Sequence, residues 1–147
     1  VKRTGAARKE FGPDFRYGHY VLTHHLYTGL AGAAAVGGIV ALSQFEFGKK
    51  KLLQVRDPGQ GPGAAERAKS WFKVRFVGEA AGMHVWTEVS GGDPGYGETS
   101  KMLAESALCL ALDEKLPANF GVVTPGASMG EALITRLQNA GIEFRTL

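Results

Sequence analysis

Cysteine is nearly absent from this sequence of 147 residues, with Cys109 its single representative. An intrachain disulfide and a metal site made of cysteines alone are therefore excluded, and a reducing, intracellular setting is indicated. The basic N-terminus lacks a short apolar run with a small-residue cleavage site, which excludes a secretory signal. H-x-x-x-H and C-x-x-C spacings are also lacking, and the adjacent His24 and His25 would point apart. We therefore expect no metal site.

Negative charge is scarce in the first part of the chain. Residues 1–60 hold nine Lys and Arg against four Asp and Glu, whereas residues 61–147 hold eight against ten. Such basic clusters contact nucleic acid or anionic lipid. The pattern of aromatic and arginine residues typical of an RNA-binding strand or a recognition helix is missing, so we expect no nucleic-acid partner.

Periodicity and turn residues predict an α+β domain with helices packed on a mostly antiparallel sheet. Residues 1–16 are interpreted as a basic linker or the edge of an upstream domain, and residues 17–147 as the domain itself. Because the sequence starts at Val1, we interpret it as an interior piece of a longer protein. The predicted elements are a strand at 17–22, a helix at 29–42, a hairpin at 71–89, a helix at 94–113, a strand at 120–123, a helix capped by Ser128 and Glu131, and a strand at 142–147.

The hairpin is predicted from alternation of apolar and polar residues. Placing Gly78 opposite Met83 across a four-residue turn makes one face almost wholly apolar. On the other face, this register pairs Lys73 with Glu88 as a salt bridge and Arg75 with Trp86 as a cation–π contact.

An uncharged helix is predicted at 29–42, with a ridge of small residues spaced four apart: Gly29, Ala33, Gly37 and Ala41. This ridge allows close approach of another helix, inside the domain or at a dimer seam. The alternative is a helix lying at a membrane surface, with Phe45 and Phe47 dipping in and Lys49, Lys50 and Lys51 meeting lipid phosphates. The run is too short to predict a membrane span.

The helix at 94–113 is predicted to begin with Asp93 as its N-cap and Pro94 at its first position. Its narrow polar stripe of Glu98, Lys101 and Glu105 predicts burial on most sides. Cys109, inside this helix, is expected to be an inert buried thiol.

Residues able to do chemistry are few. Tyr17, His19 and Tyr20 could donate a hydrogen bond or a proton to a substrate carbonyl, or could serve packing alone. The loop at 91–96 offers backbone N–H groups to an anion, although Asp93 as the cap would occupy them. Gly59, Gly61 and Ala64 match the G-x-G-x-x-A pattern of dinucleotide sites, but no βαβ unit fits around them, so we expect no cofactor site here.

Several blocks of the sequence, in order, carry a family resemblance. They are GPDFRYGHY at 12–20, WFKVRF at 71–76, TEVSGGDPGY at 87–96 with Thr99 and KML at 101–103, and GVVTPGA at 121–127. Together they resemble the C-terminal part of saccharopine dehydrogenase-like oxidoreductases, and most closely the bacterial trans-acting enoyl reductases of polyketide-lipid biosynthesis. The resemblance covers roughly residues 11–147.

The resemblance implies a two-domain enzyme whose N-terminal Rossmann domain, absent here, binds NADP(H). The region in hand would supply the substrate side and a homodimer contact, and would be inactive alone. The intact enzyme would reduce a carbon–carbon double bond of an acyl or polyketide substrate, including a carrier-bound one. Tyr17, His19, Tyr20, Asp93 and Tyr96 are the candidate substrate-binding residues, and no catalytic residue is assigned. The expected location is cytoplasmic, with peripheral contact at the inner face of the plasma membrane as an option. The alternative function is a non-catalytic lipid-surface and dimerisation module.

Overall fold

Two residues with positive φ set the central hairpin. In the computed structural model, which describes residues 1–23, 25–55, 59 and 61–147, strands β1 (Phe72–Ala80) and β2 (Met83–Gly91) are joined only by Ala81 and Gly82. Their φ angles are 51° and 76°. Positive φ at both positions is the mark of a type I′ turn, whose twist matches that of paired strands. The third strand, β3 (Glu143–Thr146), pairs antiparallel with β2, giving the order β1-β2-β3.

The predicted hairpin register is wrong by two residues. Gly78 lies opposite Val85, and Met83 lies opposite Ala80. Since a shift of two residues keeps each side chain on its face, the predicted apolar and polar faces are confirmed while the partners change. Arg75 lies opposite Glu88 and not Trp86, and its Nε donates to Glu88 Oε2 over 2.9 Å. The predicted Lys73–Glu88 ion pair does form, at 3.1 Å.

The chain divides into two units, of which unit 1 comprises residues 1–17 and 62–147 and unit 2 comprises residues 18–61. Beside the sheet, unit 1 holds five α-helices: α1 (Lys2–Ala7), α4 (Ala64–Arg67), α5 (Gly97–Leu112), α6 (Pro125–Ser128) and α7 (Gly130–Asn139). Unit 2 holds α2 (Leu26–Ser43) and α3 (Glu46–Leu53). The antiparallel sheet with several helices confirms the α+β class.

The first residues are part of unit 1, where they contact a segment more than 100 residues later. Helix α1 lies against α6, where the hydroxyls of Thr4 and Thr124 are 2.9 Å apart. Arg3 donates from Nη2 to the carbonyl of Val122 over 2.9 Å. Gly5 is buried beneath the ring of Phe15. Long-range hydrogen bonds of this kind place the basic N-terminal residues within the fold.

Four local predictions are wrong. Residues 17–22 and 120–123 form no strand. A strand needs a neighbouring strand with which to share backbone hydrogen bonds. In the described chain the sheet consists of β1, β2 and β3, and neither segment lies beside one of them as a further strand. Helix α5 begins at Gly97, not at Pro94. The predicted capping box of Ser128 and Glu131 is absent, because Gly130, with φ 52°, separates α6 from α7. Helix α7 ends before Gly141, whose φ is 91°, and the Ile142 N–H donates to the Leu137 carbonyl over 2.9 Å.

An ion-pair clamp joins α5 to α7. Arg136 on α7 donates from Nε and Nη2 to the two carboxylate oxygens of Asp113, just beyond α5, over 2.8 and 2.9 Å. Its Nη1 lies 3.5 Å from Glu105 Oε2. Cys109, one turn from Asp113, is fully buried, and burial raises the pKa of its thiol. The expected burial of this cysteine is therefore confirmed.

The polar side of α5 faces inward. Glu98 is buried, and Lys101 and Glu105 are half-buried, whereas Leu103 is 72% exposed. The outward side is apolar, with Leu103, Ala104, Ala107, Leu108, Leu110, Ala111 and Leu112 all exposed. Burial of this helix on most sides, as predicted, is therefore wrong for the chain by itself.

Asp113→Asn should lower the midpoint of urea unfolding at neutral pH, because it removes one partner of the bidentate pair. Arg136, through its hydrogen bonds, lowers the pKa of Asp113 from 3.8 to about 2. A depressed folded-state pKa stabilises the fold above the unfolded value, and this contribution disappears as pH falls through about 2. The two proteins should therefore differ at pH 7 and converge near pH 2.

The matched control is Glu114→Gln, which removes one negative charge at the neighbouring, exposed position. If Glu114→Gln shifted the midpoint as far as Asp113→Asn, net charge and not the clamp would account for the effect.

Candidate functional site

The loop between β2 and α5 is built around the carboxylate of Asp93. Oδ2 of Asp93 accepts hydrogen bonds from the backbone N–H groups of Tyr96 and Gly97, over 2.8 and 2.9 Å. Oδ1 accepts a longer one from Gly95, over 3.4 Å. The carboxylate thus satisfies the free N–H groups at the start of α5, as an N-terminal capping residue does. The prediction of Asp93 as the N-cap is wrong in position, because the N-cap is Tyr96, but Asp93 does accept hydrogen bonds from the backbone at the helix start.

A second carboxylate, that of Glu98, also accepts a hydrogen bond from the backbone of this loop. Oε1 of Glu98 accepts hydrogen bonds from the Gly92 N–H over 3.3 Å and from Lys101 Nζ over 2.9 Å. Its other oxygen lies 2.7 Å from the same ammonium. A Cβ added at position 92 would lie 3.1 Å from Glu98 Oε1, so a larger residue there would require this carboxylate to shift by a few tenths of an ångström. The two carboxylates together hold residues 92–97 in one conformation.

The electrostatics of the loop limit its chemistry. The N–H of Gly97, followed by those of Tyr96 and Gly95 and by the charge of Arg67, holds the pKa of Asp93 below its usual value. An ionised carboxylate that is already hydrogen-bonded cannot act as a proton donor. The N–H groups that could bind an anion are occupied by Asp93. What remains for a ligand is the phenol of Tyr96, which is half exposed.

The candidate substrate-binding residues are divided between the two units. Tyr17, Asp93 and Tyr96 belong to unit 1, whereas His19 and Tyr20 belong to unit 2. Tyr17 is half-buried and His19 is exposed. The ring of Tyr20 folds back over Gly18 but keeps most of its surface in solvent. The structure directly joins Asp93 and Tyr96, through the hydrogen bond of the Tyr96 N–H.

The glycine motif at Gly59, Gly61 and Ala64 leads into a helix of four residues, α4, which is too short for a dinucleotide-binding βαβ unit. Arg56, Asp57 and Pro58, which precede the motif, and His24, one of the two histidines considered as a metal ligand, lie outside the described residues. Within the described ranges, no three or more His, Cys, Asp or Glu side chains cluster as a metal site would require.

The small-residue ridge lies open on α2. Three of its members, Ala33, Gly37 and Ala41, are exposed, and a Cβ added at Gly37 would meet nothing within 4 Å. Lys49, Lys50 and Lys51 follow on α3, all exposed. Gly29, the first member of the ridge, is partly covered by the side chain of Thr23.

Sequence reasoning missed two features: the burial of the Glu88 and Glu98 carboxylates, and the ion pair of Asp113 with Arg136. Glu88 is 5% exposed and forms ion pairs with Arg75 and Lys73. The hydrogen bonds from these two cations hold the pKa of Glu88 below its usual value. The one available signal was that Lys73, Arg75 and Glu88 share a face of the hairpin. The distance in sequence between Asp113 and Arg136 carries no such signal.

Comparison with known proteins identifies relatives in mycobacteria. A Mycobacterium tuberculosis protein whose name assigns it as a trans-acting enoyl reductase is 41% identical over 125 aligned residues, covering 77% of this chain and 30% of that protein. A trans-acting enoyl reductase of Mycobacterium leprae is 30% identical, covering 99% of this chain and 38% of its own. One of Mycobacterium ulcerans is 29% identical, covering 97% and 37%.

No protein-family model and no solved structure matches the chain. The chain spans about a third of the length of the curated relatives that it matches. Over that third, similarity runs through nearly the whole of this sequence. The chain is thus a homologue of the mycobacterial trans-acting enoyl reductases, as its sequence blocks predicted.

Proposed function

We propose that this chain is the C-terminal substrate-side domain of a two-domain, NADP(H)-dependent, saccharopine dehydrogenase-like enoyl reductase. In this proposal the nicotinamide is bound by a Rossmann domain, which corresponds to the part of the relatives that this chain does not match. The reaction is hydride transfer to a carbon–carbon double bond of an acyl or polyketide intermediate, free or attached to a carrier. The homology to proteins named enoyl reductases supports the reaction class.

The observation that carries the two-domain proposal is the outward apolar face of α5. Exposing Leu103, Leu108 and Leu110 to water costs roughly 1.5–3 kcal/mol for each side chain that could have been buried. Soluble monomers rarely leave such a continuous patch uncovered. A cofactor domain packed on this face would cover it and would bring the adjoining β2–α5 loop to the nicotinamide side of the molecule.

The residues present suit binding and orientation. In unit 1, the phenol of Tyr17 or Tyr96 can donate a hydrogen bond to an acyl carbonyl, which would help to fix the double bond relative to the hydride donor. In unit 2, His19 and Tyr20 are separate candidates for a contact with the substrate. Asp93 contributes by holding the loop that carries Tyr96. Within this proposal, the nicotinamide supplies the reducing equivalents and the enzyme acts in the cytoplasm.

Titration with NADPH tests the two-domain proposal. This chain alone should leave nicotinamide fluorescence unchanged, whereas a longer polypeptide that adds the unmatched part of the Mycobacterium tuberculosis relative should bind NADPH and reduce an enoyl thioester. Circular dichroism on both proteins checks folding. Binding by the short chain would show that the Gly59–Ala64 loop was wrongly dismissed. If neither folded protein binds, the non-catalytic lipid-surface and dimerisation module becomes the better account.

Replacements at Tyr96 and Asp93 should separate ligand contact from loop support. Tyr96→Phe in the longer enzyme should raise KM about fivefold, the value of one lost hydrogen bond, and leave the unfolding midpoint unchanged. Asp93→Ala should lower the unfolding midpoint, because three N–H groups lose their acceptor, and Asp93→Asn should recover part of it. An unchanged KM in Tyr96→Phe would remove this tyrosine from the substrate site.

We also propose that the enzyme is a homodimer with the ridge of Gly29, Ala33, Gly37 and Ala41 at its seam. Gly37→Leu should shift the dimer toward monomer in sedimentation velocity, because a leucine prevents close helix approach. The variant leaves the protomer intact, since the added side chain points into open space. Gly38→Leu, equally open but one residue off the ridge, is the control and should remain dimeric. Equal behaviour of both variants would place the seam elsewhere.

A further inference from the structure

Helix α2 is apolar on every side and uncovered. Its 18 residues contain no charged side chain, their mean hydropathy is 1.6, and none of the helix is buried. Leu26, Leu30, Val36, Ile39 and Val40 point in different directions around the axis, and each is more than half exposed. A helix that is apolar all round is stable only inside a protein core or in lipid. By length and composition it is also the one described helix able to cross a membrane.

A basic segment is held directly against the end of this helix. Only Gln44 and Phe45 separate α2 from α3, which carries Lys49, Lys50 and Lys51 in succession. Gly48 is buried on the backbone of Leu42, with no room for a side chain between the two helices. The three ammonium groups are therefore held close to the apolar helix by a backbone contact.

The junction also forms an open apolar groove of about 360 Å³, lined by Leu42, Phe47, Leu52 and Val55 among others. Lys51 lies at this groove with its ammonium 5.1 Å from the centre of the Phe47 ring. A groove with apolar walls and a cation beside it is complementary to a molecule with a hydrocarbon tail and an anionic head. Phospholipid has this chemistry.

The chain topology excludes a single crossing of the bilayer. Unit 1 contains both residues 1–17 and residues 62–147, so the chain leaves unit 1 at residue 17 and re-enters it at residue 62. Both ends of unit 2 must then lie on the same side of a membrane. If α2, about 27 Å long, crossed the hydrocarbon layer, residues 44–61 would have to return through it. Carrying each lysine through would cost about 2.5–3.5 kcal/mol.

We propose that unit 2 is a one-sided membrane-binding element. Helix α2 embeds in one leaflet of an anionic bilayer, and Lys49, Lys50 and Lys51 contact the lipid phosphates above it. The ridge of α2 remains free to pair with a second copy, since small-residue seams form within lipid as well as in water. The inference goes beyond the reductase function and does not depend on NADPH binding.

Flotation with lipid vesicles tests the proposal on the 147-residue chain. The protein should float with vesicles of phosphatidylcholine mixed with phosphatidylglycerol, and bind those of phosphatidylcholine alone more weakly. Replacing Lys49, Lys50 and Lys51 by Glu should weaken partitioning to the anionic vesicles on the order of a hundredfold, given about 1 kcal/mol per basic residue. Val36→Asp with Ile39→Asp should abolish flotation on both vesicle types.

The matched control replaces Lys9, Lys69 and Lys115 by Glu, which makes the same change in net charge at exposed positions of unit 1. This control should float as the unaltered protein does. Equal loss in both triple variants would reduce the effect to overall charge and overturn the assignment to unit 2. A folded protein that stays in solution with either vesicle type would also overturn it, and a dimer in that solution would identify a second copy as the cover of α2.

Discussion

The bidentate pair of Arg136 with Asp113 is the interaction on which unit 1 depends. The described core is small: its buried apolar residues are Cys109, Ala127, Met129, Leu137 and Ile142. Apolar burial alone therefore supplies little to hold α5 in place, and α5 presents its charged side to the fold. Paired hydrogen bonds between ions are the strong kind, and their fixed geometry orients as well as holds. They keep α5 attached while its leucines remain free for another surface.

This arrangement explains why the leucine- and alanine-rich sequence of α5 predicts burial on most sides, whereas the structure leaves its apolar side exposed. Hydrophobic periodicity locates α5 and its polar stripe correctly, but it cannot say which side meets the rest of the fold. The same limit applies to α2: the sequence predicts the helix but not the surface that packs against it. In both cases the deciding information lies in what surrounds the helix. The hairpin shows the converse, because alternation alone assigned its two faces correctly and the turn residues Ala81 and Gly82 decided the register.

The candidate site could be predicted from the sequence only where it depends on local chain chemistry. The role of Asp93 at the helix start follows from this chemistry, since a short acidic side chain before a helix meets free N–H groups. The cationic partners of Glu88 and Glu98 can be inferred from sequence spacing, since they share a hairpin face and a helix with them, whereas the burial of the two carboxylates depends on packing. Similarity to proteins named trans-acting enoyl reductases supports the proposed reaction class, and the loop geometry shows that Asp93 holds the backbone at the start of α5.

The hydroxyl contact between Thr4 and Thr124 joins residues 120 positions apart. On the ribosome helix α1 is therefore made long before α6, and unit 1 cannot close until residue 124 has been synthesised. In that interval the uncharged helix of unit 2 is already outside the exit tunnel. Helix α2 can therefore contact an apolar surface before unit 1 has folded.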